Sequence, residues 1–290
     1  MALDIKIIKI EDKEYPQILK EIHNPPKQLY IKGEIINQDK VAIAVVGTRK
    51  YSQYGKQVCL DITTKLAKLG ITIVSGLARG IDTWAHKAAL DAGGRTIAVL
   101  GSGMDRASFS PSQNYELSEE IAKNGAVITE YPDGTQGANY TFPERNRIVS
   151  GLCLGVVVIE APDKSGALIT ANLALEQNKE VFAIPGNIYE ENSKGTNKLI
   201  KDGAKLVTCV EDILEELNLL HLLQEPPKTK AKPENKEEEI ILSVLSLQPM
   251  HIDEVIKLSK LPVSMVNSTL TILEIKNAIR NLGKNNYILK

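Results

Sequence analysis

Arginine is scarce in this 290-residue chain: 7 of its 35 basic residues are arginine, the rest lysine, and 36 acidic residues bring the formal charge to −1. Taken alone, that balance argues against a nucleic-acid binder. Aromatics are also few, with 9 Tyr, 3 Phe and 1 Trp, so the core must be aliphatic. The 3 cysteines, Cys59, Cys153 and Cys209, are widely separated and form no CxxC, which argues against a disulfide framework and for a reducing compartment. No apolar run approaches the ~20 residues needed to cross a bilayer. The first ten residues are interrupted by Asp4, Lys6 and Lys9, unlike a signal peptide. A cytoplasmic protein without a membrane partner is expected.

Several motifs of familiar chemistry are missing too. No GxxxxGK[ST] is present, residues 47–55 lack the GxGxxG spacing, and no GxSxG elbow occurs. The four histidines, His23, His86, His221 and His251, are dispersed, so neither a zinc site nor any other metal or cofactor is expected. His86 reads as a helix-surface or packing residue.

What is present is a regular alternation. Short aliphatic runs at residues 41–46, 71–74, 96–100, 127–129, 156–159, 181–184 and 206–208 read as strands. Between them lie helical patterns near residues 54–69, 81–92, 115–123, 144–149, 167–177 and 197–201. Continuous aliphatic strands separated by helices predict an α/β fold with a doubly wound, mainly parallel sheet. Residues 1–40, with Pro16 and the pair Pro25–Pro26, read as a lead-in that packs on this sheet, and residues 41–220 as the sheet domain.

Residues 221–239 are rich in proline, lysine and glutamate without apolar periodicity, and read as a linker. Beyond them, residues 240–247, 251–258 and 263–275 predict three helices, and residues 278–282 and 286–289 a hairpin about Gly283. Three helices plus a two-stranded wing is a winged-helix plan for residues 240–290. Its six basic residues outnumber its three acidic ones. The segment 263–275 offers Ser264, Asn267, Ser268 and Thr271 but no arginine, which suits weak duplex contact or a protein contact better than base-specific readout.

A doubly wound sheet binds ligands outside the carboxyl ends of its strands. The residues there are Gly47-Thr48-Arg49, Ser75-Gly76 running to Arg79 and Asp82, Gly101-Ser102-Gly103, and Ser165-Gly166. Small residues let backbone amides approach an anion, and helix N-termini add a positive dipole end. Arg49, Arg79, Arg145 and Arg147 place four of the 7 arginines on this predicted phosphate-binding face, because arginine is the better bidentate phosphate ligand. Asp82 reads as a cap or a partner of Arg79, and Asn146 as a loop pin. Phe142 is either a core residue or a platform for a stacked base.

Read together, these loops resemble the DNA-processing protein A (DprA/Smf) family. The resemblance is carried by Val45-Val46-Gly47-Thr48-Arg49, by Ser75-Gly76-Leu77-Ala78-Arg79-Gly80-Ile81-Asp82 with Ala85-His86, and by Thr129-Glu130-Tyr131-Pro132. It continues through Phe142-Pro143-Glu144-Arg145-Asn146-Arg147-Ile148, Glu160-Ala161, Ser165-Gly166 and Val181-Phe182-Ala183-Ile184-Pro185-Gly186. These matches run in one order across about residues 15–215. Ala167 departs from the family's common serine, and residues 105–114 make a slightly longer loop.

The resemblance implies a Rossmann-like domain with a C-terminal winged helix, and a non-enzymatic recombination mediator of natural transformation. Such a protein would bind and protect incoming single-stranded DNA, meet single-strand-binding protein, load RecA and act as a homodimer. It implies phosphate contacts from Arg49, Arg145 and Arg147, base stacking on Phe142, and pocket-lining amides at Ser75–Gly76 and Ser165–Gly166. The alternative is a nucleoside-monophosphate phosphoribohydrolase of the related superfamily. There Thr170 stands where the catalytic glutamate is required, and a hydroxyl cannot replace an ionised carboxylate.

Overall fold

In the computed structural model, residues 4–223, 235–245, 250–276, 278–281, 283 and 285–289 are described, and the chain divides into two units, Met1–Leu223 and Gln224–Lys290. The first unit begins with β1 (Ile5–Lys9), α1 (Gln17–Lys20), β2 (Gln28–Gly33) and β3 (Ala42–Val46). It continues through α2 (Gln53–Lys68), β4 (Thr72–Ser75), α3 (Ile81–Asp91), β5 (Thr96–Val99), α4 (Tyr115–Lys123), β6 (Gly125–Thr129) and α5 (Thr141–Gly151). It ends with β7 (Gly155–Val158), α6 (Gly166–Glu176), β8 (Glu180–Ala183), α7 (Lys194–Lys201), β9 (Lys205–Leu206) and α8 (Val210–Glu216).

Among the described residues these strands form one sheet in the order β1-β2-β6-β5-β4-β3-β7-β8-β9. From β6 to β9 every neighbouring pair is parallel. The strands β3 to β7 are buried along their whole length because helices cover both faces. One face packs Ile43, Val45 and Ile73 against Cys59, Ile62 and Leu66 of α2, Ala85 of α3 and Ile213 of α8. The other packs Ala44, Val156 and Val158 against Leu19 of α1, Ile148 and Val149 of α5 and Ala171 of α6. The doubly wound α/β expectation holds.

The chain adds strands outward from β3 to β6, then returns to place β7 on the other side of β3. That reversal is the topological switch point, and the loops after β3 and β7 diverge there to leave a crevice.

The lead-in does more than pack on the sheet. Tyr15, Leu19 and Ile22 are buried against it, but β1 and β2 also join it as antiparallel strands beside β6. In β2, Leu29 and Ile31 face inward while Gln28, Tyr30 and Lys32 stay half-buried. This alternation is the mark of a strand covered on one side, and the neighbouring prolines mask it in the sequence.

The second unit contains α9 (Lys236–Val244), β10 (Met250–His251), α10 (Ile252–Ser259), α11 (Val263–Ile275), β11 (Ile279–Asn281) and β12 (Asn286–Leu289). Ile241, Val255, Val266 and Leu270 share its core. The sheet order is β10-β12-β11, so a short strand beside the expected hairpin completes the winged-helix plan. The first helix starts four residues before the expected residue 240. The Asn235 side chain accepts from the Glu238 amide at 2.8 Å, and Glu237 to Glu239 favour the positive end of the helix dipole. Residues 224–234 of the expected linker, 246–247 of the expected first helix, and Leu282 lie outside the described residues. Among the described residues, no helix is long and apolar enough to cross a membrane.

Candidate nucleic-acid interface

A cleft of ≈ 400 Å³ opens at the switch point, between the loops that follow β3, β4 and β7 and the start of α5. Gly47, Thr48, Arg49, Gly76, Phe142, Arg145, Asn146, Ser165 and Gly166 line it. Nine of the twelve residues expected from sequence thus converge on one cavity. Arg79 is exposed on the rim of an adjoining pocket of ≈ 130 Å³, which shares Arg49, Gly76, Phe142 and Arg145 with the first.

Two expected residues lie elsewhere. Ser75 is fully buried and donates its hydroxyl to the Val45 carbonyl at 2.7 Å, so it ties β4 to β3 instead of lining the cleft. Arg147 lies one turn past Phe142-Pro143 on α5, and its guanidinium pairs with Glu130 at 2.6 Å beside Pro25 and Pro26. A 100° step per residue sends neighbouring positions of one helix to different sides.

The floor of the cleft is ionic. Arg145 is buried, and its Nη1 donates to the carbonyls of Gly76, at 2.5 Å, and Val99. Asp82 is buried opposite and accepts from the Gly76 amide at 3.1 Å. Asp82 therefore holds the Gly76 amide and feels the charge of Arg145, without an ion pair to Arg79 among the described residues. Burial pushes the Asp82 carboxyl above its ordinary range, against the pull of Arg145. Burial also draws the Arg145 guanidinium down to about 10, although Asp82 opposes this. A Cβ on residue 76 would meet Arg145 Nη2 at 2.5 Å, so glycine is required there.

The next residue, Leu77, holds φ at +53°, a left-handed conformation that costs a non-glycine residue about 1–3 kcal/mol. Asn114 stabilises it, donating to the Leu77 carbonyl at 2.8 Å. Gly80, at φ +93°, lets the β4–α3 turn touch the backbone of Thr48 and Arg49.

The β3–α2 loop is held from below by Glu160, which sequence reasoning did not single out. Its carboxylate accepts from the Ser52 amide at 2.9 Å and from the Ser52 hydroxyl, while its backbone carbonyl accepts from the Thr48 amide at 2.8 Å. Ser52 in turn caps α2 by accepting from the Gly55 amide. Asn146 ties to a helix and not to a loop: its Nδ2 donates to the carbonyl of Gly166, the first residue of α6, at 3.4 Å.

The walls combine cations, amides and apolar surface. Arg49 is exposed and lies over the half-buried Phe142 ring, 5.7 Å from its centroid. Lys50 and Lys164 add charge that a search keyed to arginine passes over, and Ile169 adds an apolar rim, 40% exposed. The first turn of α6 carries no acidic residue, and a Cβ at Gly166 would meet nothing within 4 Å. The Gly166 backbone is therefore open to an anion, while Ser165 accepts from the Ala167 and Leu168 amides behind it. Asp82, the one carboxylate lining the cleft among the described residues, is already engaged by the Gly76 amide. Thr170 lines the cleft as well and donates to Gly166 O at 3.4 Å. Among the described residues no group of acidic, histidine or cysteine side chains could hold a metal ion.

Residues 6–218 match the family DNA recombination-mediator protein A, and residues 225–283 match the DprA winged helix domain. The DNA processing protein DprA of Bacillus subtilis is 44% identical over 214 residues, 73% of this chain and 71% of the relative. That of Streptococcus pneumoniae is 45% identical over 207 residues, 71% of this chain and 72% of the relative. The X-ray structure of the Streptococcus pneumoniae protein gives a TM-score of 0.69 at 43% identity, covering 73% of this chain and 74% of that one. DNA processing protein A of Helicobacter pylori, solved for its single-stranded DNA binding mode, gives 0.66 at 31% identity over 75% of this chain and 98% of that one. With both segments matched in order, the chain belongs to the DNA recombination-mediator protein A family.

Proposed function

We propose that this chain is a recombination mediator that binds single-stranded DNA in the switch-point cleft, protects the incoming strand and loads RecA onto it during natural transformation. The observation that carries this reading is the meeting of Arg49 and Lys50, the open Gly166 backbone and the Phe142 ring in one cavity. Cations and amides hold a phosphate backbone without reading sequence, and an aromatic face accepts any base. The Helicobacter pylori relative supplies the strand type, because its structure is described as showing a single-stranded DNA binding mode. Family membership supplies the role. RecA, single-strand-binding protein and a second copy of the chain are the partners of this reading, and the cytoplasm is its compartment.

The protein acts here by binding, without turnover. Thr170 occupies the position that a phosphoribohydrolase gives to its glutamate, and Asp82 is held by the Gly76 amide. In the second unit, Ser268 donates to the Met265 carbonyl at 3.0 Å and Thr271 to the Asn267 carbonyl at 2.9 Å. Two of the four polar side chains that could read bases are thus spent on the helix itself, which supports weak, non-specific duplex contact.

The test is a salt titration of oligothymidylate binding. Each phosphate held contributes a slope of about −0.7 in log K against log salt. Arg49→Ala should lower both affinity and slope. An unchanged slope removes this site, and base release from a nucleoside monophosphate would restore the enzyme reading.

A further inference from the structure

Beside the cleft, on the outer face formed by α2 and α3, lies a second cluster that the reading above leaves unused. Trp84, the single tryptophan of the chain, is half-buried on α3. Tyr51 meets it edge to face, with ring centroids 6.1 Å apart. Lys56 places its ammonium 3.7 Å from the Trp84 centroid, and Lys87 places its own at 5.4 Å. An aromatic pair flanked by lysines combines a stacking surface with phosphate-neutralising charge.

This cluster is continuous with the cleft. Lys50 lines the cleft and is followed directly by Tyr51. The β4–α3 turn, which carries Arg79 and leads into the helix of Trp84, touches Thr48 and Arg49 at Gly80, and the Ile81 amide donates to the Thr48 carbonyl at 3.3 Å. Arg49, Lys50, Lys56, Arg79 and Lys87 therefore follow one path along two loops and the two helices that leave them.

The cations of this path are left without ion pairs among the described residues. Among the described residues, Arg95, Arg106 and Arg147 each hold a carboxylate within 4 Å. None of the five cations on the path does, although the chain has 36 acidic residues to pair with its 35 basic ones. A run of cations without carboxylates leaves its charge available to a polyanion.

We propose that single-stranded DNA leaving the cleft past Arg49 and Lys50 continues onto this face, where a base stacks on Trp84 and Lys56 and Lys87 neutralise the flanking phosphates. The subsite rests on the proposed cleft function and extends it. The occupied length of strand then exceeds what the cleft alone holds, and affinity depends on strand length. The Lys56 ammonium covers the ring in the free protein, and its flexible stem lets it follow an arriving phosphate while the base takes its place.

Trp84 emission reports on this subsite alone, since the chain has no other tryptophan. The full chain is titrated with oligothymidylates of about 6 and about 20 nucleotides, lengths on either side of a single binding site. The longer strand is expected to quench Trp84 and the shorter to bind without quenching. Replacing Lys56 and Lys87 together with alanine should abolish the quench and cost about tenfold in affinity for the longer strand only, about what one stacked base and its charge contribute. Trp84→Phe should retain most of the length effect, and Trp84→Ala, followed with a labelled strand, should lose it. If the longer strand binds with Trp84 emission unchanged and Trp84→Ala binds it as tightly as the parent, the subsite is overturned. Loss of short-strand binding in Arg49→Ala would still uphold the cleft. If the parent binds neither length, both readings are overturned.

Discussion

Arg145 and Asp82 grip the same residue from two sides. The Arg145 Nη1 donates to the Gly76 carbonyl at 2.5 Å, and the Asp82 carboxylate accepts from the Gly76 amide at 3.1 Å. Both side chains are buried, and between them they fix the turn on which Leu77 holds its left-handed backbone. Arg145 lines the cleft, but its hydrogen-bonding capacity is directed largely into the protein. Its contribution to binding is therefore inseparable from folding.

Arg145 is the donor to two buried carbonyls, those of Gly76 and Val99, and removing it leaves both unsatisfied at about 1–3 kcal/mol each. Arg145→Ala should lower the melting temperature of the first unit by on the order of 10 °C and reduce DNA binding with it. Arg49→Ala should reduce binding with the melting temperature unchanged, since Arg49 is exposed and its guanidinium lies over the Phe142 ring. Thermal melts of the two variants separate the roles. Equal melting temperatures would remove the structural role of Arg145.

Arg147 gives the opposite contrast. Its guanidinium pairs with Glu130, and neither side chain is more than 18% exposed. The Arg147→Ala variant should leave the salt slope of single-strand binding unchanged, where Arg49→Ala reduces it by about 0.7. Loss of the charged hydrogen bond should cost about 1–3 kcal/mol of stability, read as a shifted urea midpoint. A reduced slope in Arg147→Ala would return this residue to the phosphate path that its sequence position suggested.

Acid should destabilise the fold through His86. Its Nδ1 lies 2.7 Å from the Thr96 hydroxyl, which donates its own proton to the Ile73 carbonyl. Nδ1 must then carry the imidazole hydrogen, leaving Nε2 bare, buried and without a partner among the described residues. A second proton would sit on Nε2 without an acceptor, and burial, with the Arg145 charge nearby, draws the His86 pKa down to about 3. The unfolded chain, with a histidine near 6.5, binds the proton first. The stability contribution of a neutral His86 is thus complete above about pH 6.5 and is lost as pH falls toward 3, by at most ~1.4 kcal/mol per pH unit. The raised carboxyl of Asp82 acts in the opposite sense over its own range. Comparing urea midpoints of the parent and His86→Gln from pH 7 to 4 isolates the histidine. Parallel curves would remove this role.

The sheet was legible because β3 to β7 are buried on both faces, which demands unbroken aliphatic runs such as Ala42–Val46. The site loops were legible for a related reason. Space is short where β3 and β4 end: Gly80 passes against the backbone of Thr48 and Arg49, Gly47 lies against the Ile81 side chain, and Gly76 against the Arg145 guanidinium. Direction within a helix was harder to read: Arg145 and Arg147 look alike in sequence, yet one lies beneath the cleft and the other pairs with Glu130. For His86 the sequence left a surface and a packing position of α3 open, and the structure gives the packing one. The alanines around it, Ala85 and Ala89, are small enough to let the helix approach β5 and bury the imidazole against Thr96. Glu160 showed least of all, because a carboxylate at a strand end has the same sequence signature whether it faces solvent or anchors a loop.

That anchor carries the last prediction. Glu160 is 3% exposed, and its carboxylate meets the amide and hydroxyl of Ser52 and, at 3.4 Å, the Asn192 side chain. A Cβ on Gly55 would fall 2.2 Å from Glu160 Oε2, so α2 begins directly against this carboxylate. Its effect reaches the cleft through Thr48 to Lys50, the segment between the end of β3 and the Ser52 cap. A site is only as well placed as the groups that support it. Glu160→Ala should therefore lower single-strand affinity by about tenfold, although Arg49 and Phe142 are both retained. The salt slope should stay near that of the parent, because no phosphate-binding cation is removed. Glu160→Gln keeps an acceptor for the Ser52 amide and should recover part of the loss. An affinity loss accompanied by a lower slope would instead mean that the substitution displaces Arg49 outright, and unchanged affinity would mean that the loop holds its shape without Glu160.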